Sequence, residues 1–129
     1  MKFALAQLNL TVGDFESNLS KIKNVLDATK DAEWVVFSEL CITGYYPMDL
    51  VNAPGFKDTQ DAYIDKLCDF LRTDTRKIVI GAITENKYPG KRWHNSLLVI
   101  QKGVVKLVYD KQLLPTYDVF DEFRHFEPG

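Results

Sequence analysis

Two charged residues, Glu39 and Lys111, stand where they could act on a substrate. Glu39 follows the apolar run 34–37, and Lys111 follows the apolar run 104–109. Active sites of open α/β sheets lie beyond the carboxyl ends of strands, so both are candidates for catalysis. A carboxylate there suits a general base, and an ammonium suits an oxyanion. By position alone, however, an exposed charge at a strand end explains each residue more simply.

The cysteines and histidines form no recognisable catalytic or metal-binding pattern. Cys41 lies two residues after Glu39, and Cys68 lies in a helical pattern, so both are expected to pack as small hydrophobic residues. His94 and His125 have no catalytic setting, and no two ligands have metal-site spacing, so no metal site is predicted. Two cysteines make no disulfide framework, which favours a cytoplasmic protein.

The composition is that of one globular domain. The chain has 129 residues, of which 46% are hydrophobic and 26% charged, and its net charge is -2. Because no block of Lys or Arg forms a basic stripe, nucleic acid is not a predicted partner. No signal-peptide pattern and no apolar run of membrane-spanning length is present, so no membrane partner is predicted.

The hydrophobic pattern predicts the elements that position Glu39 and Lys111. Strands are predicted over 3–10, 34–37, 77–83, 95–100 and 104–109, and helices over 15–29 and 59–71. Asp14 is predicted to cap the first helix. The continuous apolar run at 34–37 is typical of a strand buried on both faces.

The connections then predict the fold class. Segment 39–57 is a long, turn-rich connection of the kind that often carries function, and no regular element is predicted after Lys111. The short link at 101–103 predicts an antiparallel hairpin. The order of elements therefore predicts an α/β fold with a mixed sheet.

Three segments, in this order, resemble the nitrilase (carbon-nitrogen hydrolase) superfamily. Residues 37–45 (FSELCITGY) resemble the segment that carries the catalytic glutamate, and 109–114 (YDKQLL) resemble the segment that carries the catalytic lysine. Asn95-Ser96, at the start of a strand, also looks like the family. The resemblance implies a partial α-β-β-α sandwich.

Further motifs resemble the amino-terminal glutaminase domain of glutamine-dependent NAD synthetases. They are 45–50 (YYPMDL), 113–122 (LLPTYDVFDE) and 124–129 (RHFEPG). The resemblance spans essentially the whole chain and implies that 1–129 is the amino-terminal portion of such a domain.

The resemblance implies a mechanism for glutamine as substrate. A cysteine thiolate attacks the side-chain amide, Glu39 serves as general base, and Lys111 stabilises the oxyanion. Glu122 is a candidate to orient Lys111, and Tyr117 is a candidate substrate contact. Physical chemistry agrees, because a thiol needs a nearby base and an oxyanion needs fixed positive charge.

The resemblance also implies that parts of the enzyme lie outside this sequence. The family nucleophile follows the lysine segment at a distance that places it beyond Gly129, so 1–129 alone is expected to be inactive. No glycine-rich phosphate loop is present. No cofactor is therefore expected for this segment, and ATP, magnesium and deamido-NAD are expected to bind a separate synthetase domain.

Strands without partners would leave open edges, so a homo-oligomer is expected. Two other functions stay open. A stand-alone amidase acting on an ω-amide or carbamoyl substrate would lack a downstream synthetase domain. A non-catalytic α/β interaction module would be favoured if the reading frame ended at Gly129.

Overall fold

The computed structural model describes all residues from 1 to 129. A five-stranded sheet contains β1 (Phe3–Ala6), β2 (Trp34–Phe37), β3 (Lys77–Glu85), β4 (Trp93–Gln101) and β5 (Val104–Asp110), in that spatial order. The helices are α1 (Phe15–Ala28), α2 (Phe56–Phe70) and the single turn α3 (Glu122–His125), and a 3₁₀ turn spans Met48–Asn52.

The pairing confirms the predicted α/β class with a mixed sheet. Strands β1, β2 and β3 are parallel, whereas β3, β4 and β5 are antiparallel to one another in turn. The predicted hairpin is present, and its two turn residues, Lys102 and Gly103, have φ values of 51° and 69°. Two successive positive φ angles match the right-handed twist of the flanking strands.

Helices α1 and α2 cover one face of the sheet. The Asp14 side chain caps α1 by accepting a hydrogen bond of 3.1 Å from the backbone N–H of Ser17, as the sequence predicts. The buried face of α1 includes Leu19, Ile22 and Leu26, which join the main core. Apolar residues at this spacing form one stripe, so their burial holds the helix on the sheet.

The other face of the sheet is open over much of its area. In β2, Val35 and Phe37 are buried against the helices, but Trp34 and Val36 are only partly buried. The prediction that this strand is buried on both faces is therefore wrong for the chain described here. On this face the Trp34 ring stacks with Phe3 of β1, with ring centroids 6.0 Å apart, and Val36 lines an open cavity.

Several element boundaries differ from prediction. The first strand ends at Ala6 rather than at residue 10, because β2 offers partners for four residues only. Helix α2 begins one turn early, at Phe56, after Gly55 turns the chain with a φ of 77°. Phe56 then packs 5.3 Å from the Phe15 ring.

The long connection after Glu39 and the carboxyl-terminal segment pack together. Their small core contains Leu40, Val51, Ile83, Trp93 and Phe126. The 3₁₀ turn and α3 lie in these segments, where the sequence predicted no regular element, because single turns are too short to show a hydrophobic period. None of the helices is both long and apolar enough to span a membrane.

Candidate functional site

The sheet brings Glu39 and Lys111 together although 72 residues separate them. Glu39 follows β2, and its backbone crosses over β3 at Gly81, where a Cβ atom would lie 2.8 Å from the Glu39 Cα. Lys111 follows β5, and its backbone N–H donates to the Asn95 carbonyl of β4 at 2.8 Å. Both charged side chains therefore lie beside the same end of β4.

Lys111 contacts two carboxylates. Its Nζ donates to Glu39 Oε1 at 2.8 Å and to the two oxygens of Glu122 at 3.0 and 3.2 Å. Turn α3 supplies Glu122, whose side chain is 1% exposed, whereas that of Glu39 is 41% exposed. The cluster thus pairs one ammonium with a buried carboxylate and with one that solvent reaches.

Two neutral groups complete the cluster. The Tyr45 hydroxyl donates to Glu122 Oε1 at 3.0 Å. The Asn95 side-chain amide donates to Glu39 Oε1 and lies 3.5 Å from Glu122 Oε2. Each carboxylate therefore has a neutral donor as well as the ammonium, which lowers the cost of holding two negative charges together.

The contacts in the cluster raise the pKa of Lys111 and of Tyr45. Burial acts to lower the pKa of Lys111, but the hydrogen bonds to Glu39 and Glu122 outweigh it, so the pKa lies above its ordinary value. Burial and the hydrogen bond to Glu122 raise the pKa of Tyr45. Lys111 is therefore a fixed positive charge at neutral pH, and Tyr45 is a neutral donor.

A cavity of about 250 Å³ opens beside these side chains on the uncovered face of the sheet. Its apolar wall includes Val36, Val79, Leu97 and Tyr109, and its polar lining includes Glu39, Asn95 and Lys111. An apolar cavity with a few convergent polar groups is typical of a small-molecule site. The arrangement offers a carboxylate and a cation to one substrate.

Comparison with known proteins gives the family. A family model described as carbon-nitrogen hydrolase matches residues 2–129. The chain belongs to the carbon-nitrogen hydrolase family. It is 36% identical to the glutamine-dependent NAD(+) synthetases of Aquifex aeolicus and Thermotoga maritima. All of this chain is matched in both comparisons, but it spans only 22% of the length of either relative.

Solved structures share the fold of this carbon-nitrogen hydrolase chain. The glutamine-dependent NAD+ synthetase of Acinetobacter baumannii, solved with adenosine diphosphate, superposes with a TM-score of 0.87 at 32% identity. That match covers 99% of this chain and 24% of the synthetase chain. An amidase from Nesterenkonia superposes at 0.81 with 24% identity, over all of this chain and 48% of the amidase, which supports the fold alone.

Tyr117 of this hydrolase chain lines a surface pocket together with Lys111, outside the charged cluster itself. It is exposed, and its ring packs against Phe120, with ring centroids 5.9 Å apart. It makes no hydrogen bond with Glu39, Lys111 or Glu122. The structure thus brings together three of the four predicted site residues, and the predicted contact of Tyr117 with substrate stays a prediction.

Neither cysteine reaches the cluster. Cys41 is fully buried in the main core, its Sγ faces the Gly81 carbonyl at 3.7 Å, and burial raises the pKa of its thiol to about 12. Cys68 lies on α2 and is partly buried, and burial followed by the nearby charges of Asp65 and Asp69 raises its pKa too. Both thiols are therefore poor nucleophiles at neutral pH.

No functional role was predicted from the sequence for Asn95, Tyr45 or Gly81. Asn95 and Tyr45 lie in segments that resemble the family. The resemblance therefore pointed to these segments, but it did not predict the hydrogen bonds that the two side chains make with Glu39 and Glu122. Gly81 interrupts an apolar strand, and a lone glycine in a strand often marks a close backbone approach. The glycine at position 81 could therefore have predicted a close backbone contact at this point of the strand.

Proposed function

We propose that this chain forms the glutamate- and lysine-bearing part of a glutaminase site. The observation that carries the proposal is the Glu39–Lys111–Glu122 cluster at the edge of the apolar cavity. Similarity to glutamine-dependent NAD(+) synthetases over the whole chain supports glutamine as the substrate.

The proposed reaction uses the cluster in two ways. Glu39 takes the proton of a cysteine thiol as the sulfur adds to the side-chain amide carbon of glutamine, and Lys111 stabilises the negative oxygen that forms. Glu39 then gives that proton to the departing nitrogen, so the C–N bond breaks and ammonia leaves a thioester. Water adds to the thioester with Glu39 again as base, which yields glutamate and the free thiol.

Glu122 holds Lys111 in this proposal. Its buried side chain contacts the ammonium through both oxygens, while Glu39 remains partly exposed to the cavity. These two hydrogen bonds, both donated by the ammonium, fix the lysine before negative charge develops on the substrate oxygen, which is how preorganised charge contributes to catalysis.

The nucleophilic thiol is proposed to come from outside residues 1–129. Cys41 and Cys68 are both unsuited, as their burial and raised pKa indicate. The chain spans 22% of the length of its relatives, which supports its being the amino-terminal portion of a longer glutaminase domain. Residues 1–129 alone are then inactive.

In the longer protein the ammonia would serve NAD synthesis from deamido-NAD. ATP and magnesium would bind the synthetase part. The residues described here contain no group of three or more His, Cys, Asp or Glu side chains placed to hold a metal ion, so the lining of this cavity does not fit magnesium. A homo-oligomer and a cytoplasmic location stay predictions.

The test is glutamine hydrolysis by the protein expressed over its whole reading frame. We expect Glu39→Gln and Lys111→Met each to lower kcat/KM by about 100-fold or more, because each removes a group that acts in the transition state. Asp27→Asn and Lys30→Met are matched controls, since this pair lies 2.9 Å apart with both side chains more than 60% exposed.

Two results would contradict the proposal. One is near-full turnover by folded Glu39→Gln or Lys111→Met protein. The other is a wild-type protein that hydrolyses an aliphatic ω-amide or a carbamoyl compound but leaves glutamine intact, which would favour the stand-alone amidase.

A further inference from the structure

Asn95 is the neutral side chain that lies between the two carboxylates of the site. It stands on β4, opposite Ile83 of β3, and it is 3% exposed. Its Nδ2 donates to Glu39 Oε1 and lies 3.5 Å from Glu122 Oε2. Tyr45, the other neutral donor, contacts Glu122.

Charge balance explains why an amide is needed there. Glu39 and Glu122 share one ammonium, that of Lys111, so the cluster carries one excess negative charge when both carboxylates are ionised. Like charges at short range disfavour ionisation of both groups. A buried amide is a donor without charge, so it stabilises the carboxylates and adds no repulsion.

The same contact determines which oxygen of Glu39 is free. Asn95 and Lys111 both donate to Oε1. Oε2 accepts no hydrogen bond from any residue of 1–129, and the Glu39 side chain is 41% exposed beside the cavity. Two donors on one oxygen fix the rotation of the carboxylate and leave the other oxygen able to accept a proton.

We propose that Asn95 is a positioning residue, whose amide fixes the Glu39 carboxylate so that Oε2 faces the cavity as the proton acceptor. The proposal rests on the glutaminase function proposed above. The Asn95 backbone has a separate role, since its carbonyl accepts from the Lys111 N–H at 2.8 Å. Side-chain substitutions leave that backbone contact in place, so the two roles can be separated.

The test is the pH dependence of glutamine hydrolysis by the full-length protein with Asn95→Ala, Asn95→Asp and Asn95→Gln. We expect Asn95→Ala to lower kcat by about 10- to 100-fold with little change in KM, because a misplaced base slows the chemical step more than binding. Losing the donor makes the base easier to protonate, so the acid limb of the kcat/KM profile moves to higher pH.

The other two variants separate positioning from simple support of the fold. Asn95→Asp keeps the volume but adds a third carboxylate, so its acid limb should move further than that of Asn95→Ala. Asn95→Gln keeps the amide donor and should recover part of the lost kcat. Asn95→Asp also serves as the decisive variant if Asn95→Ala does not fold.

Asn86→Ala is the matched control. The Asn86 side chain donates to the Lys91 carbonyl at 2.8 Å and accepts from Tyr88 at 2.9 Å, in the β3–β4 connection away from the cavity. It should leave the acid limb unchanged. If folded Asn95→Asp protein kept the acid limb at the same pH as the wild type, the proposal for Asn95 would be overturned. If the wild-type protein itself had no glutaminase activity, the proposed function would be overturned instead.

Discussion

The backbone of Glu39 crosses β3 directly over Gly81. A Cβ atom at position 81 would lie 2.8 Å from the Glu39 Cα and closer still to the backbone nitrogen of Leu40. Such contacts involve backbone atoms, so no rotation of a side chain can relieve them. The position of the proposed base therefore depends on the absence of a side chain on the neighbouring strand.

Gly81→Ala is expected to lower both stability and turnover. Overpacking typically costs about 1–3 kcal/mol, and relief here requires a shift of backbone atoms at Glu39 or at position 81, which would change the position of Glu39 relative to Lys111. Urea denaturation and glutamine hydrolysis by the full-length protein measure the two effects. Ala82→Gly, on the opposite face of the same strand, should cost roughly 1 kcal/mol with normal turnover. Normal turnover in folded Gly81→Ala would show that the close crossing is not required.

The elements that carry the site were predictable because their hydrophobic periods are strong. The α1 stripe and the continuous apolar run of β3 identify these elements from neighbouring residues alone. The hairpin between β4 and β5 was also predictable from neighbouring residues, since a two-residue link that accepts positive φ determines it.

The contacts within the site were not predictable in the same way. Asn95 meets Glu39 across 56 residues of sequence, and Tyr45 meets Glu122 across 77. Hydrophobic periodicity reflects local structure, so it cannot predict contacts between residues this far apart in the sequence. The single turn that carries Glu122 is also too short to show a hydrophobic period. Resemblance to the family identified Glu122 as a candidate, whereas the roles of Asn95 and Tyr45 depend on contacts that only the folded chain creates.

A partly buried ion pair between Arg76 and Asp74 is expected to stabilise the fold away from the site. Arg76 donates to Asp74 at 2.6 Å and to the Thr29 carbonyl at 2.8 Å, which joins the end of α1 to the start of β3. Arg76→Ala should cost about 1–3 kcal/mol, because it leaves a partly desolvated carboxylate without its partner. Arg72→Ala is the control, since its pair with Asp69 is exposed and should contribute under about 1 kcal/mol.

The same pair predicts the acid dependence of stability. The hydrogen bond from Arg76 lowers the pKa of Asp74 below its ordinary value. A carboxyl group with a lowered folded-state pKa stabilises the fold above its unfolded pKa, about 3.9, and loses that contribution as pH falls through the folded value. The stability difference between wild type and Arg76→Ala should therefore shrink between about pH 5 and pH 2. A constant difference in urea titrations across that range would contradict the assignment.

The stabilising contribution of Lys111 is expected to be lost at high pH, whereas that of Asp74 is lost at low pH. Its pKa is raised in the fold, so its contribution is complete below the unfolded pKa of about 10.4 and is lost as pH rises through the folded value. The stability difference between wild type and Lys111→Met should be larger at pH 8 than at pH 11. Lys30→Met, in an exposed pair, should show little difference at either pH. An unchanged Lys111→Met difference at pH 11 would mean that the ammonium is not held by the two carboxylates.

Cys41 lies two residues from the proposed base, and its thiol is expected to take no part in the reaction. It is fully buried with a pKa near 12, so almost none of it is thiolate at pH 8. Cys41→Ala should keep near wild-type kcat for glutamine, and a maleimide should label Cys41 only after unfolding. Mass spectrometry of the labelled peptides distinguishes Cys41 from the partly buried Cys68. Inactivation in step with labelling of Cys41 in the native protein would identify it as the nucleophile and would remove the need for a thiol from outside residues 1–129.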